Sequence, residues 1–274
     1  MNKNRMFAVI KNTLLFTFAL TTVLAVAEKR FIASEKFQTA FKLGSDTLNI
    51  AGYRSPTTDS ILLVHLHHNE QTALNVAQQF IILSADVNFV FLDNKESREV
   101  NFKINKTNVK FDPNRIFSKQ GIQKTVVTTP PLTQQANSEV NKLSAFLIDT
   151  HFKKAKQIIA LHNNTTLGTL TVNDFKADGK YANESINVFI NDKNEPDNFI
   201  ITTELDYFII LKEQNINVVL QHPTPFDDGS LSVWAAKNNK PYINIEVEHG
   251  NFNRQKELLN IVYKMVLTAI QNQQ

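Results

Sequence analysis

The sequence predicts an α/β fold: one α/β/α sandwich built on a mixed, largely parallel central sheet. Three observations carry this. Short apolar runs of strand length alternate with segments whose apolar residues recur at helical spacing. No internal repeat or long low-complexity tract divides the 274 residues. A composition of 42% hydrophobic and 20% charged residues is that of an ordinary globular chain with enough apolar surface for a core.

The first element pair sets the pattern. Residues 60–64 (SILLV) form a continuous apolar run, and residues 72–83 follow with Leu74, Ala77, Phe80 and Ile81 on one helical face, giving strand, polar turn and helix. Further strands are expected at 87–92, 157–161, 186–190, 199–202, 217–220 and 243–247. Helices are expected at 137–152, 203–214 and 253–270, the last with Leu258, Leu259, Val262 and Val266 along one face. The stretch 128–135 (TTPPLTQQ) reads as a flexible loop, and 226–232 (FDDGSLS) as a turn.

The formal charge of +3 resides at the start of the chain, where Lys3, Arg5 and Lys11 are the only charged residues before Glu28. They precede an apolar run over 13–26 and the small-x-small sequence Ala25-Val26-Ala27, so residues 1–27 read as a cleavable signal peptide and 28–274 as the mature domain. That run is shorter than the ~20 residues of a spanning helix, and no later run approaches that length, so no stable membrane span is expected. Basic and acidic residues balance in the remainder, which gives no compositional case for nucleic acid. An exported chain without cysteine is expected in a bacterial periplasm, or secreted, held by its core and by any metal bound through His and carboxylates.

In α/β sheets ligands gather where strands end. Directly after the first run stands His65-Leu66-His67-His68-Asn69-Glu70. His67 and Glu70 have the His-x-x-Glu spacing that can bring an imidazole and a carboxylate to one zinc, and His162, after the run 157–161, offers a third ligand. His65 is expected to point to the opposite side of its strand as a core residue. Asp112-Pro113-Asn114-Arg115 has turn chemistry. In Asn244-Ile245-Glu246-Val247-Glu248-His249, strand alternation puts Glu246 and Glu248 on one face; such a pair is commonly just solvated, or supplies a general base. His151, His222 and His249 stand alone and are expected to be structural or surface residues.

Taken in order, His67-x-x-Glu70, Asp112-x-Asn114-Arg115, Leu161-His162-Asn163-Asn164-Thr165-Thr166 and Ile245-Glu246-Val247 resemble the zinc carboxypeptidase superfamily. The similarity is greatest to its succinylglutamate desuccinylase and aspartoacylase branch, which has His-Gly-Asn-Glu where this chain has His67-His68-Asn69-Glu70. An extra Asn stands between His162 and the Thr pair. The branch's further substrate-polarising arginine has no certain counterpart, Arg98 being nearest in position.

The resemblance implies a zinc metallohydrolase that cleaves an amide bond in a small anionic peptide or N-acyl amino acid, a cell-wall peptide being one source. One Zn2+ per chain would be held by His67, Glu70 and His162. Glu246 would act as general base and then general acid, with Glu248 its alternative by neighbourhood. Asp112 would orient His67, while Asn114 and Arg115 would bind a substrate carboxylate. The rival expectation is a catalytically inactive binding or metal-capture protein that keeps the fold.

Overall fold

The computed structural model describes residues 34–129, 132–164 and 170–272. The signal peptide expected at 1–27, Pro130 and Pro131 of the loop candidate, and Thr165 and Thr166 of the third motif lie outside the described residues. Among the described residues no helix is long and apolar enough to cross a membrane.

Eleven strands are described: β1 (Glu35–Leu43), β2 (Asp46–Arg54), β3 (Ile61–His65), β4 (Val87–Asp93), β5 (Val100–Ile104), β6 (Thr107–Phe111), β7 (Gln157–Asn164), β8 (Ser185–Phe189), β9 (Phe199–Thr202), β10 (Val218–Gln221) and β11 (Tyr242–Glu248). Nine form one sheet in the order β1-β2-β4-β3-β7-β11-β9-β10-β8. The centre, β4-β3-β7-β11, is parallel, while β1, β2 and β8 pair antiparallel at the flanks. β5 and β6 form a separate hairpin whose turn residues Asn105 and Lys106 both have positive φ, as a tight hairpin turn requires.

The helices are α1 (Gln71–Ile82), α2 (Lys119–Thr125), α3 (Thr133–Leu147), α4 (Leu205–Glu213), α5 (Leu231–Lys237) and α6 (Phe252–Gln271). They cover both faces. Ile61, Leu63, Ile159, Leu161, Ile243 and Ile245 pack against α1, α4 and α6, whereas Leu62, Val64, Ile158, Ala160 and Tyr242 pack against α3 and α5. Each fully buried Leu, Ile or Val contributes about 1.5–3 kcal/mol, so a sheet apolar on both faces holds without a disulfide. The predicted sandwich is the observed one.

Differences from the sequence expectations have local causes. The hairpin β1–β2 went unanticipated because β1 alternates half-buried with exposed residues and β2 alternates buried with half-buried ones, with no continuous apolar run in either. α3 begins at Thr133, inside the stretch expected to be loop, and continues as a π-turn over Ile148–Phe152. Within the expected turn 226–232, the Ser230 side chain accepts from Val233 N and starts α5 at Leu231, so the turn ends as a helix cap.

Candidate metal centre and active site

Three strand ends converge on one cavity of about 590 Å³. The chain leaving β3 makes a turn in which Glu70 N donates to His67 O at 2.9 Å, placing both side chains inward. β7 brings His162, and its parallel partner β11 sets Glu246 directly beside His162 in register. His67, Glu70, His162 and Glu246 are all no more than 5% exposed.

His67 Nδ1 lies 2.9 Å from Glu70 Oε1, and His162 Nδ1 lies 3.0 Å from Glu70 Oε2. One ligand atom from each of the three residues falls within 4.8 Å of the others, a grouping that can hold a metal ion. The donor chemistry fits. The other His67 nitrogen, Nε2, is 2.7 Å from Asp112 Oδ1, so a proton held there leaves the Nδ1 lone pair facing the cluster. His67 Nδ1 is buried, and its contact with Glu70 Oε1 lacks hydrogen-bond alignment, so the two atoms face one another as neighbouring ligand atoms do. Two imidazole nitrogens and one carboxylate oxygen are a set that zinc accepts with a fourth position open.

Electrostatics follow from this crowding. Burial disfavours charge on His67, but the carboxylates of Glu70 and Asp112 outweigh it and lift the imidazole to about 9. Glu70 is held well below the usual carboxylate range, against its burial, by His162 and His67. Burial pushes the Glu246 carboxyl up, a push that nearby Glu70 reinforces and His162 opposes. A carboxyl so raised suits a group that must take up and release a proton.

Glu70 occupies the cap position of α1 yet makes no side-chain cap bond. Asn163 fills that role from β7: its Oδ1 accepts from Ala73 N at 2.8 Å, while its backbone N donates to Glu70 Oε2 at 3.0 Å. The helix start is therefore satisfied without consuming Glu70. Asn163 entered the sequence reading only as part of a motif; this capping contact arises from the packing of β7 against α1.

Asp112 follows β6 and starts the short turn Pro113–Arg115, its side chain also accepting from Asn114 N at 2.8 Å. Turn chemistry and contact with His67 thus coexist in one residue. Asn114 and Arg115 line the cavity. Asn114 Oδ1 accepts from Leu231 N at 3.0 Å, and Arg115 Nη1 lies 3.3 Å from Asp228 Oδ2. Arg98 also lines the cavity, donating to Glu70 Oε1 at 2.8 Å and to Asp112 Oδ2 at 3.4 Å. Glu248, two residues beyond Glu246, is half-buried and does not line the cavity.

No protein-family model matches the sequence, and no curated protein does. Among solved structures, thrombin-activatable fibrinolysis inhibitor superposes with a TM-score of 0.51 at 12% identity, over 93% of this chain and 73% of that one. The fold is carboxypeptidase-like. Succinylglutamate desuccinylase from Chromobacterium violaceum matches at a TM-score of 0.44 and 13% identity, over 82% of this chain and 66% of that one. The chain thus spans just under two thirds of the desuccinylase's length. The ectoine utilization protein EutE from Ruegeria pomeroyi matches at 0.47 and 12%, over 86% and 68%.

Within this carboxypeptidase fold the remaining histidines separate by environment. His65 is fully buried on the α1 side of β3, with Nδ1 3.0 Å from Leu161 O, and burial lowers it to about 4. His68, where the resembled branch has glycine, turns away to accept from Asn94 N at 2.7 Å. His249 lies exposed on the cavity lining, although it stood isolated in the sequence. Sequence reasoning also missed Glu184, Gln221, Asp228, Ser230 and Ser232, which the fold brings to the same cavity. Three of these, Asp228, Ser230 and Ser232, belong to the stretch 226–232 expected as a turn.

Proposed function

We propose that the protein is an exported, zinc-dependent amide hydrolase acting on a small peptide or N-acyl amino acid with a free carboxylate near the scissile bond. The observation that carries this reading is the buried His67–Glu70–His162 group with Glu246 beside His162, all opening into the cavity that holds Asn114 and Arg115. When bound, zinc supplies positive charge that polarises a carbonyl and acidifies water.

The chain's own residues do the rest. Glu246 takes a proton from the attacking water and returns it to the leaving amine, its buried carboxyl retaining that proton between the two steps. Asp112 holds His67 in one tautomer through the 2.7 Å contact to Nε2. The Arg115 guanidinium, with the Asn114 amide, seats the substrate carboxylate, for which a planar fork suits two oxygens at once. The contact to the carbonyl oxygen we assign to Arg98, which lines the cavity half-exposed beside Glu70.

The test is Glu246→Gln in zinc-loaded protein, assayed on N-acyl amino acids and cell-wall peptides. It should keep fold and one zinc per chain while losing turnover several hundredfold, within the ~10²–10⁴ that general acid–base catalysis contributes. Glu248→Gln, on the same strand outside the cavity, should retain most activity. Normal turnover in Glu246→Gln would sink the mechanism. A wild type that binds anionic peptides and hydrolyses none would establish the binding protein in its place.

A further inference from the structure

The turn that leads into Arg98 is held from outside itself. Ser97 N donates to Asn94 O at 3.1 Å, closing residues 94–97 into a β-turn whose central residues, Lys95 and Glu96, have φ of 51° and 58°. Positive φ at both central positions suits Asn and Gly, and a lysine followed by a glutamate adopts it only where the surroundings enforce it. Asn94 Nδ2 donates to Glu99 O at 2.6 Å and to Ser97 O at 3.4 Å, which ties the ends of the loop together. The turn itself is gripped by His68.

Asn94 N at 2.7 Å and Glu96 N at 3.3 Å both donate to His68 Nδ1. A backbone N–H only donates, so this nitrogen carries the lone pair and the ring proton is assigned to Nε2. Asp93 Oδ1, 3.4 Å from the same nitrogen, is an acceptor facing an acceptor and adds no bond. The ring is held in its turn: the side chain is 13% exposed and packs at a steep angle on Phe91 of β4, with ring centroids 6.2 Å apart.

Arg98 follows directly on this turn. Its Nη1 donates to Glu70 Oε1 at 2.8 Å and its Nη2 to Asp112 Oδ2 at 3.4 Å, although the side chain is half-exposed. A long side chain with that much freedom stays over the metal group only if its backbone is fixed in place. The segment leaving β3 therefore has two tasks in adjacent residues: His67 faces the metal group and His68 grips the loop that brings the arginine. Glycine, which the resembled branch has at this position, has no side chain to do so.

We propose that His68 is a positioning residue: its Nδ1 latches the 94–97 turn in a conformation those residues would not keep unaided, and so holds Arg98 over the metal group. The latch rests on geometry alone. Only the use made of Arg98, contact with the carbonyl oxygen, rests on the proposed hydrolase reading.

The experiment separates the latch from its use. Amide hydrogen exchange across residues 92–99 is read in the zinc-loaded full chain, every variant being checked for native circular dichroism and one zinc per chain. His68→Leu removes the acceptor and should speed exchange at Asn94 and Glu96 at least about tenfold, the scale of a lost hydrogen bond. His68→Asn puts Oδ1 near the place of Nδ1 and should stay within about threefold of wild type. Lys95→Asn with Glu96→Gly gives the turn the residues it suits, and added to His68→Leu should restore most of the protection, which a mere packing role for the ring would not allow. If the shape of leucine disturbs His67, His68→Ala carries the same expectation. Unchanged exchange in His68→Leu, exchange in His68→Asn as fast as in His68→Leu, or no rescue by the new turn residues overturns the latch. Inorganic phosphate, a tetrahedral oxyanion like the intermediate of amide hydrolysis, then probes Arg98 by calorimetry. His68→Leu should weaken phosphate about tenfold, but less than about twofold in an Arg98→Ala background. Equal weakening in both backgrounds overturns the positioning of Arg98. Phosphate binding that Arg98→Ala itself leaves unchanged would instead remove Arg98 from the hydrolase reading, and exchange alone would decide the latch.

Discussion

Asp112→Asn isolates one charge at the metal group. Asp112 Oδ1 faces His67 Nε2 at 2.7 Å and also accepts from Asn114 N at 2.8 Å. Asparagine keeps an oxygen at that position with two lone pairs, so both contacts survive in neutral form and the turn leading to Arg115 is preserved. What is lost is the charge assistance, together with the long 3.4 Å contact that Arg98 makes to Oδ2. A hydrogen bond to a charged group contributes ~1.5–3 kcal/mol against ~0.5–1.5 for a neutral one. The difference, ~1–1.5 kcal/mol, corresponds to roughly six- to twelvefold in affinity, near the lower end of the ~10–100-fold typical when a ligand's supporting carboxylate is replaced. Zinc affinity measured by competition with a chromogenic chelator should therefore weaken about tenfold, with the circular dichroism spectrum unchanged. His67→Ala, which removes a ligand, sets the floor. Affinity within twofold of wild type would show that Asp112 does not tune His67. A loss as deep as that of His67→Ala would make Asp112 a ligand and overturn the three-residue group.

The other predictions probe the clamp, its support and a distant histidine. Arg115→Lys keeps the charge, but an ammonium cannot hold Asn114 O and a substrate carboxylate in one plane; kcat/KM should fall about tenfold or more. Substrates amidated at that carboxylate should lose the same advantage, and equal acid-to-amide discrimination in mutant and wild type refutes the role. At Gly121 an added Cβ would strike the Gly229 Cα and the Arg115 carbonyl oxygen, while Gly229 itself has φ +77°. Gly121→Ala should cost about 1–3 kcal/mol in urea unfolding as the loop carrying Asp228 is pushed off Arg115; an unchanged midpoint denies the contact. His151, stacked on Phe37 at 5.7 Å, is lowered to about 4 by burial and then by Arg54 and Lys154. A depressed imidazole stabilises the fold above its unfolded value of 6.5, and the contribution is lost as pH falls towards 4. The full gap would be ~3 kcal/mol, and partial solvent access reduces it to about 1–2. His151→Phe should lose that part of the acid dependence, and parallel pH profiles for mutant and wild type would reject it.

What the sequence revealed of this fold follows from how each strand is buried. β3, β7 and β11 lie in the parallel centre; β3 and β7 read as apolar runs with definite ends, which makes His67 and His162 legible just beyond them, while β11 reads by its alternation, which sets Glu246 apart from Ile245 and Val247. The flanks did not read this way. β1 is exposed on one face, and β5–β6 alternates Asn, Lys and Thr with its core residues, so neither leaves a continuous apolar signal. The cavity wall that carries Gln221 and Asn244 was harder still, because it depends on strand order. β9 lies between β11 and β10 and pairs antiparallel with the first and parallel with the second, and only that order carries Gln221 to the face of Asn244. Alternation alone gives each strand's two faces but not which face meets the cavity. Here His162 and Glu246 are register partners, and with them Ala160, Asn244 and Tyr242 share the cavity side. A one-residue slip of β11 against β7 would turn Glu246 into the α1–α6 core, where Ile245 and Val247 now pack, at the cost of burying a carboxylate without a partner. The apolar residues on alternate positions of β11 therefore fix the register, and the register in turn places Glu246 beside His162.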